Sequence, residues 1–177
     1  EGIVVSRSIR TAGDEIDEAI LQYARREHSL AIGERTAEET KIKIGSAYNT
    51  GNERHVELRG RDLITGLPKV VEVSSSDIRE AIANPVNQIV EEVKVCVEET
   101  PPELVADIME CGITLAGGGA LLEGLDIRLT EETKMPVQVA DDPLTCVVRG
   151  TGKALEEIDV LRKVFVSTQN GKTAPRR

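Results

Sequence analysis

Tryptophan is absent from this sequence, and its aromatic side chains are one phenylalanine and two tyrosines in 177 residues. Proteins that hold single-stranded nucleic acid stack bases on aromatic platforms, so that class is disfavoured. Basic charge is also short. There are 22 Lys and Arg against 31 Asp and Glu, a formal charge of −9, which argues against a duplex-binding face and against broad adhesion to anionic lipid. The three cysteines, Cys96, Cys111 and Cys146, form no Cys-x-x-Cys. Neither a zinc pattern nor a disulfide framework follows, and buried free thiols in a reducing cytoplasm are the expectation. The two histidines, His28 and His55, lie near no Ser or Cys nucleophile pattern, which argues against a catalytic triad. No signal peptide is visible, and no apolar run approaches the length of a membrane span. An initiating methionine is missing as well: the chain opens Glu1-Gly2-Ile3, which fits either a processed terminus or the edge of a fragment.

What remains is an aliphatic chain with 40% hydrophobic and 30% charged residues, enough for one ordinary domain or two small lobes. Ile3 to Ile9 has a strand pattern. Asp14 then reads as a helix N-cap, with Ile16, Ile20, Tyr23 and Ala24 on one face. Asp14 and Asp17 suit capping and the helix dipole better than metal binding. His28 to Gly33 is a turn. A short helix follows at Arg35–Gly45, with a capping-box spacing at Thr36/Glu39 and a Glu38/Lys41 pair sharing a face. Val56 and Leu58, then Val71 and Val73, alternate with polar residues around a loop at Asp62–Leu67, which predicts a β-hairpin.

Asp77 and Glu80 read as a cap pair opening a short helix. Asn84-Pro85 predicts a fresh helix to Glu99, a single kinked helix being the alternative. A further helix begins at Thr100-Pro101-Pro102, with Leu104, Ile108 and Met109 inward, and Gly112 stops it. After the glycines, Leu121, Leu122, Leu125 and Leu129 predict one helix. Pro136–Val139 is a short strand, and Asp141-Asp142-Pro143 opens a last helix with Val147, Val148, Ala154 and Leu155 as core positions. The order suggests an α/β sheet lobe at 1–26 and 75–166, an α+β insert at 27–74 and a frayed tail at 167–177.

The stretch Ile113-Thr114-Leu115-Ala116-Gly117-Gly118-Gly119-Ala120-Leu121-Leu122 concentrates the functional signal. It reads as strand, glycine turn, helix, a form in which backbone N–H groups can meet a ligand closely. A plain connector fits the same residues. The dinucleotide fingerprint fails because Leu122 stands where its last Gly or Ala belongs. The Walker loop fails because the one Gly-Lys before a helix, Gly152-Lys153, has Val147 and Ala154 at the flanking motif positions.

Several stretches, in order, resemble the C-terminal half of the MreB family of bacterial actin-like cytoskeletal proteins. They include Gly2–Arg10, Gly13–Ile20, Gly33–Glu39, Gly60–Pro68, Thr100–Leu104, Gly117–Leu122 and Asp142–Val148. The resemblance implies an α/β fold, the C-terminal lobe of the actin-like (ribonuclease H-like) ATPase fold with a small α+β insert. It implies an ATPase using ATP and Mg2+ that assembles with itself into filaments at the inner face of the cell membrane, in the cytoplasm, and organises cell-wall synthesis in rod-shaped cells. Membrane-anchored RodZ-like and MreC/MreD-like proteins are the implied partners, and nucleic acid is not.

By the same resemblance, Gly117, Gly118, Gly119 and Ala120 form the loop beside the adenosine and α-phosphate, and Glu38 and Lys41 reach the adenosine from the small lobe. Thr40 stands where a larger aliphatic residue is expected, and Ala116 where a small polar one is. The two Asp-bearing phosphate loops, the catalytic acid and the main membrane contacts belong to a preceding half. No catalytic or metal-binding residue is therefore expected within this chain. Two other readings remain open: a non-catalytic interaction module, and half of another protein of this superfold, of chaperone or sugar-kinase type. An exposed sheet edge and apolar patch are expected for the isolated piece.

Overall fold

The computed structural model describes residues 3–158. Its first surprise is Ile3–Ile9, which forms no strand. A strand exists only as part of a ladder, and none of the described residues pairs with this one. Arg7 instead forms ion pairs with Glu92 and Glu99, and the Thr11 hydroxyl donates to Gln88, so the segment lies along a later helix. Ile3 and Val4 stay exposed.

Helix α1 (Gly13–His28) starts two residues earlier than the Asp14 cap predicts. Ala12 holds the cap position, and the Glu15 carboxylate accepts its N–H at 2.9 Å. Ile16, Ile20, Leu21 and Ala24 make the buried stripe. Ser29 ends the helix at φ 50° and leads into a strand absent from the sequence reading, β1 (Leu30–Ala31). Two residues are too few to show a period of two. Helix α2 (Glu34–Ile44) is capped by Gly33, so Thr36 lies inside the helix and the Thr36/Glu39 box does not form. The buried Thr40 hydroxyl donates to the Thr36 carbonyl at 2.7 Å, which lets a polar residue occupy an apolar position.

Strands β2 (His55–Asp62) and β3 (Pro68–Ser74) form the expected hairpin, pairing Val56 with Val73 and Leu58 with Val71. β1 adds to the free edge of β2, giving the antiparallel order β1-β2-β3. The hairpin turn is tied by Asp62, whose Oδ1 accepts the N–H groups of Ile64 at 2.7 Å and Thr65 at 2.9 Å.

Helix α3 (Ser75–Ala81) is capped by Ser74 and Asp77 in a reciprocal box, in place of the Asp77/Glu80 pair. Helix α4 (Ala83–Glu98) follows after the single residue Ile82. Pro85 thus sits inside the first turn of α4. N–H groups there have no partner within the helix, so proline costs no hydrogen bond and the helix starts before Asn84. Then come α5 (Pro102–Cys111), β4 (Ile113–Leu115), a 3-10 turn (Gly118–Leu121), α6 (Leu125–Thr133), β5 (Val137–Val139) and α7 (Cys146–Glu156). The single helix expected after the glycines is broken at Gly124, whose φ of +73° is left-handed, and Leu121 faces solvent. β4 and β5 pair in parallel, Ile113 with Val137 through Leu115 with Val139.

One aliphatic cluster joins α1, α2, the hairpin, α3, α4 and α6, with Ile20, Leu30, Leu58, Ile78, Ile82 and Leu129 among its fully buried members. Helices α5 and α7 contribute no buried residue. Met109, Val147, Val148 and Leu155, read from the sequence as core, are between 60 and 71% exposed. Their apolar periodicity is real, but an amphipathic face needs an opposing layer, and the two three-residue strands supply too little of one. Residues 159–177, including the expected frayed tail, lie outside the described residues.

Candidate functional site

The parallel pair β4–β5 delivers the C-terminal ends of both strands to one edge. In open α/β sheets that edge is where ligands bind. Beyond β4 the chain turns at Gly117, with φ +84°, a conformation that non-glycine residues rarely adopt. The Gly117 N–H donates to the Pro143 carbonyl at 2.7 Å, fastening the glycine turn to the segment that follows β5. Gly118 and Gly119 open the 3-10 turn, where N–H groups lack partners within the turn. A β-carbon on Gly118 would meet only the Leu144 side chain, at 3.7 Å, and one on Gly119 would meet nothing within 4 Å. Ala120 is buried, and its N–H is engaged by the Gly117 carbonyl at 3.2 Å. Of the four residues proposed for this loop, Gly118 and Gly119 therefore present backbone to open space, while Gly117 and Ala120 shape the turn.

Helix α2 carries the other two residues expected to contact a ligand, Glu38 and Lys41. Its C-terminal exit is stitched to the chain just after the glycine turn. Ser46 bridges to Glu123 in parallel register, the Ala47 N–H donates to the Glu123 carbonyl at 2.7 Å, and the Thr50 hydroxyl donates to the Glu123 carboxylate at 2.8 Å. Arg54 completes an ion pair with that carboxylate. Further along, the Tyr48 hydroxyl donates to Glu131 at 2.7 Å. Glu123 joins the exit of α2 to the chain after the glycine turn, yet nothing in its sequence context marks it out.

On α2 the two proposed nucleotide contacts part company. Glu38 is exposed and forms no ion pair among the described residues. The i, i+3 pairing of Glu38 with Lys41 does not form. Lys41 turns instead toward α1, where its ammonium donates to Asp17 Oδ2 at 2.8 Å and to the Gly13 carbonyl at 3.2 Å. The Lys41 and Asp17 side chains are 18% and 16% exposed. Asp17 is thus an ion-pair partner and not a cap. The sequence carries a signal for it, since Asp17 interrupts the apolar face of α1 three and four residues before the buried Ile20 and Leu21.

No group of three or more His, Cys, Asp or Glu among the described residues could hold a metal ion. No described helix is long and apolar enough to cross a membrane.

A parallel strand pair ending in a glycine turn, beside an antiparallel three-stranded sheet with its helices, is the arrangement of an actin-like fold. The crystal structure of MreB5 of Spiroplasma citri bound to AMPPNP superposes with a TM-score of 0.85 at 42% identity, covering 91% of this chain and 48% of that one. The sequence relation narrows this further. The family model described as MreB/Mbl protein matches residues 1–163, and the chain belongs to that family. It is 53% identical over 159 residues to the cell shape-determining protein MreB of Escherichia coli strain K12, covering 90% of this chain and 46% of that protein. It is 48% identical over 161 residues to the cell shape-determining protein Mbl of Bacillus subtilis strain 168, covering 91% and 48%. The chain therefore spans about half the length of the curated relatives it matches.

Proposed function

We propose that this chain supplies the adenosine side of the nucleotide cleft in an ATP-hydrolysing, filament-forming MreB-type protein that organises cell-wall synthesis and maintains rod shape. The observation that carries the reading is the open backbone at Gly118 and Gly119, held at the carboxyl edge of β4–β5 and followed by a segment bonded to the exit of α2. Gly117 to Ala120 would cradle the nucleoside and α-phosphate, and Glu38 and Lys41 would reach the ribose or purine. The AMPPNP bound to the Spiroplasma citri relative supports an adenine nucleotide as the ligand. In the proposed division, 1–26 and 75–166 form the sheet lobe and 27–74 the insert.

Magnesium does not fit the described residues, which hold no acidic cluster for it. The metal and the attacking water then depend on residues outside this set. What this chain's own groups would do is bind and orient the nucleoside. Assembly with further copies, RodZ-like and MreC/MreD-like partners, and a position at the inner face of the membrane complete the proposal. The test is sedimentation of the protein carrying this sequence. ATP should move it into the pellet on ultracentrifugation, and equal pelleting with and without ATP would overturn the assembly reading.

A further inference from the structure

We infer that Asp17 is a positioning residue of the nucleoside site, holding the Lys41 ammonium in place and cancelling its charge, so that Lys41 serves the nucleoside as a hydrogen-bond donor and not the phosphates as a cation. The inference rests on the proposed role of Lys41. It goes beyond that role in naming the residue that sets the lysine's state and the part of the ligand it senses.

Three observations converge on it. The Asp17–Lys41 contact is 2.8 Å long and joins two side chains that are both mostly buried, away from the screening that weakens surface pairs. The second ligand of the ammonium is the Gly13 carbonyl at 3.2 Å, one turn earlier on α1, so α1 grips Lys41 at two points. An ammonium has three N–H donors, and these contacts use two of them. Glycine at position 13 belongs to the same arrangement, because a β-carbon there would come within 3.3 Å of Lys41 Nζ.

The carboxylate is also not fully used. Asp17 Oδ1 is buried without any hydrogen-bond partner. A buried polar atom left unpaired costs free energy, so it marks either strain or a place for a donor. A ribose hydroxyl, which both donates and accepts, can take the third Lys41 proton and give its own to a carboxylate oxygen. A phosphate oxygen only accepts, and would also face the Asp17 charge. The pair therefore suits a sugar hydroxyl better than a phosphate.

The experiment compares adenosine, ADP and AMPPNP as competitors of a fluorescent adenine nucleotide, with wild type, Asp17→Asn, Lys41→Met and the double variant Asp17→Leu/Lys41→Met. Asp17→Asn should weaken all three ligands by a similar factor, about tenfold for one lost hydrogen-bonding arrangement. Lys41→Met should do the same, and the double variant should lose no more than the single ones. The double variant also controls for folding. Replacing both members of a buried pair by apolar residues keeps stability better than removing one, so it should melt close to wild type and still bind weakly.

A loss that grows with the number of phosphates would overturn the inference, as would unchanged binding by Asp17→Asn alongside weakened binding by Lys41→Met. A double variant that regains full affinity would show the pair to be structural only, and would overturn it too. Failure of wild type to bind any of the ligands, or full affinity in Lys41→Met, would instead defeat the underlying assignment of Lys41.

Discussion

Gly119 and Gly124 lie five residues apart, and alanine should have opposite consequences at the two. At Gly124 the backbone is left-handed, with φ +73°, and an added β-carbon would sit 2.7 Å from the Tyr48 β-carbon and 3.3 Å from the Tyr48 nitrogen. The conformation alone costs an L-residue about 1–2 kcal/mol. The overlap is with backbone and Cβ, which cannot swing aside, and adds about 1–3 kcal/mol. Taking about 3 kcal/mol for Gly124→Ala, melting should fall by about 6–12 °C in a chain of this size. At Gly119 neither penalty applies: φ is outside the left-handed region and no atom lies within 4 Å. Gly119→Ala should leave stability within about 1 kcal/mol of wild type, or raise it slightly by restricting the unfolded chain. It should nevertheless weaken adenine-nucleotide binding by about tenfold, because the methyl group enters the space proposed for the ligand. Urea unfolding and competition with a fluorescent adenine nucleotide measure the two effects separately. Wild-type affinity in Gly119→Ala, or a stability loss matching that of Gly124→Ala, would refute the reasoning.

Two further expectations concern the scaffold. Leu58 is fully buried in the hairpin face of the core, so Leu58→Ala should cost about 2–5 kcal/mol in urea unfolding, and a change below about 1 kcal/mol would show that the hairpin does not share the core's cooperativity. Asp62 has its carboxyl held down to about 2, chiefly by the Thr65 and Ile64 N–H groups and then by Lys69. A depressed carboxyl stabilises the fold above its unfolded value, about 3.9, and loses that effect as pH falls toward 2. Asp62→Asn should therefore be less stable than wild type at neutral pH, with the gap closing between pH 4 and 2. A gap independent of pH would place the effect elsewhere.

The hairpin was legible because its alternation is long enough to show a period of two, and α1 because its apolar stripe repeats over several turns. β1 was not, since two residues carry no period and only the β2 edge makes them a strand. The helix after the glycines was misjudged because Leu121 to Leu129 keep helical spacing across Gly124, and spacing says nothing about φ. In α7 the apolar pattern predicts core positions that prove exposed, because burial depends on a layer the described residues do not provide. The glycine turn itself was visible as a break between strand and helix. That Lys41 faces Asp17 was not, because helical spacing makes Glu38 its obvious neighbour and only the packing of α1 on α2 offers the alternative.

The stitching of residues 46–54 onto Glu123 and Glu131 bears on how the cleft could open. Both proposed nucleoside walls, the glycine turn and α2, hang from that one seam of backbone and side-chain bonds. A hinge between them would have to unzip the seam, including the buried Ser46 and the Ala47–Glu123 backbone bond. The two walls thus behave as halves of a rigid bracket. If the proposed site holds, adenosine grip and loop position would become one mechanical quantity, and gating of nucleotide entry would come from whatever closes over the bracket and not from the bracket's own jaws.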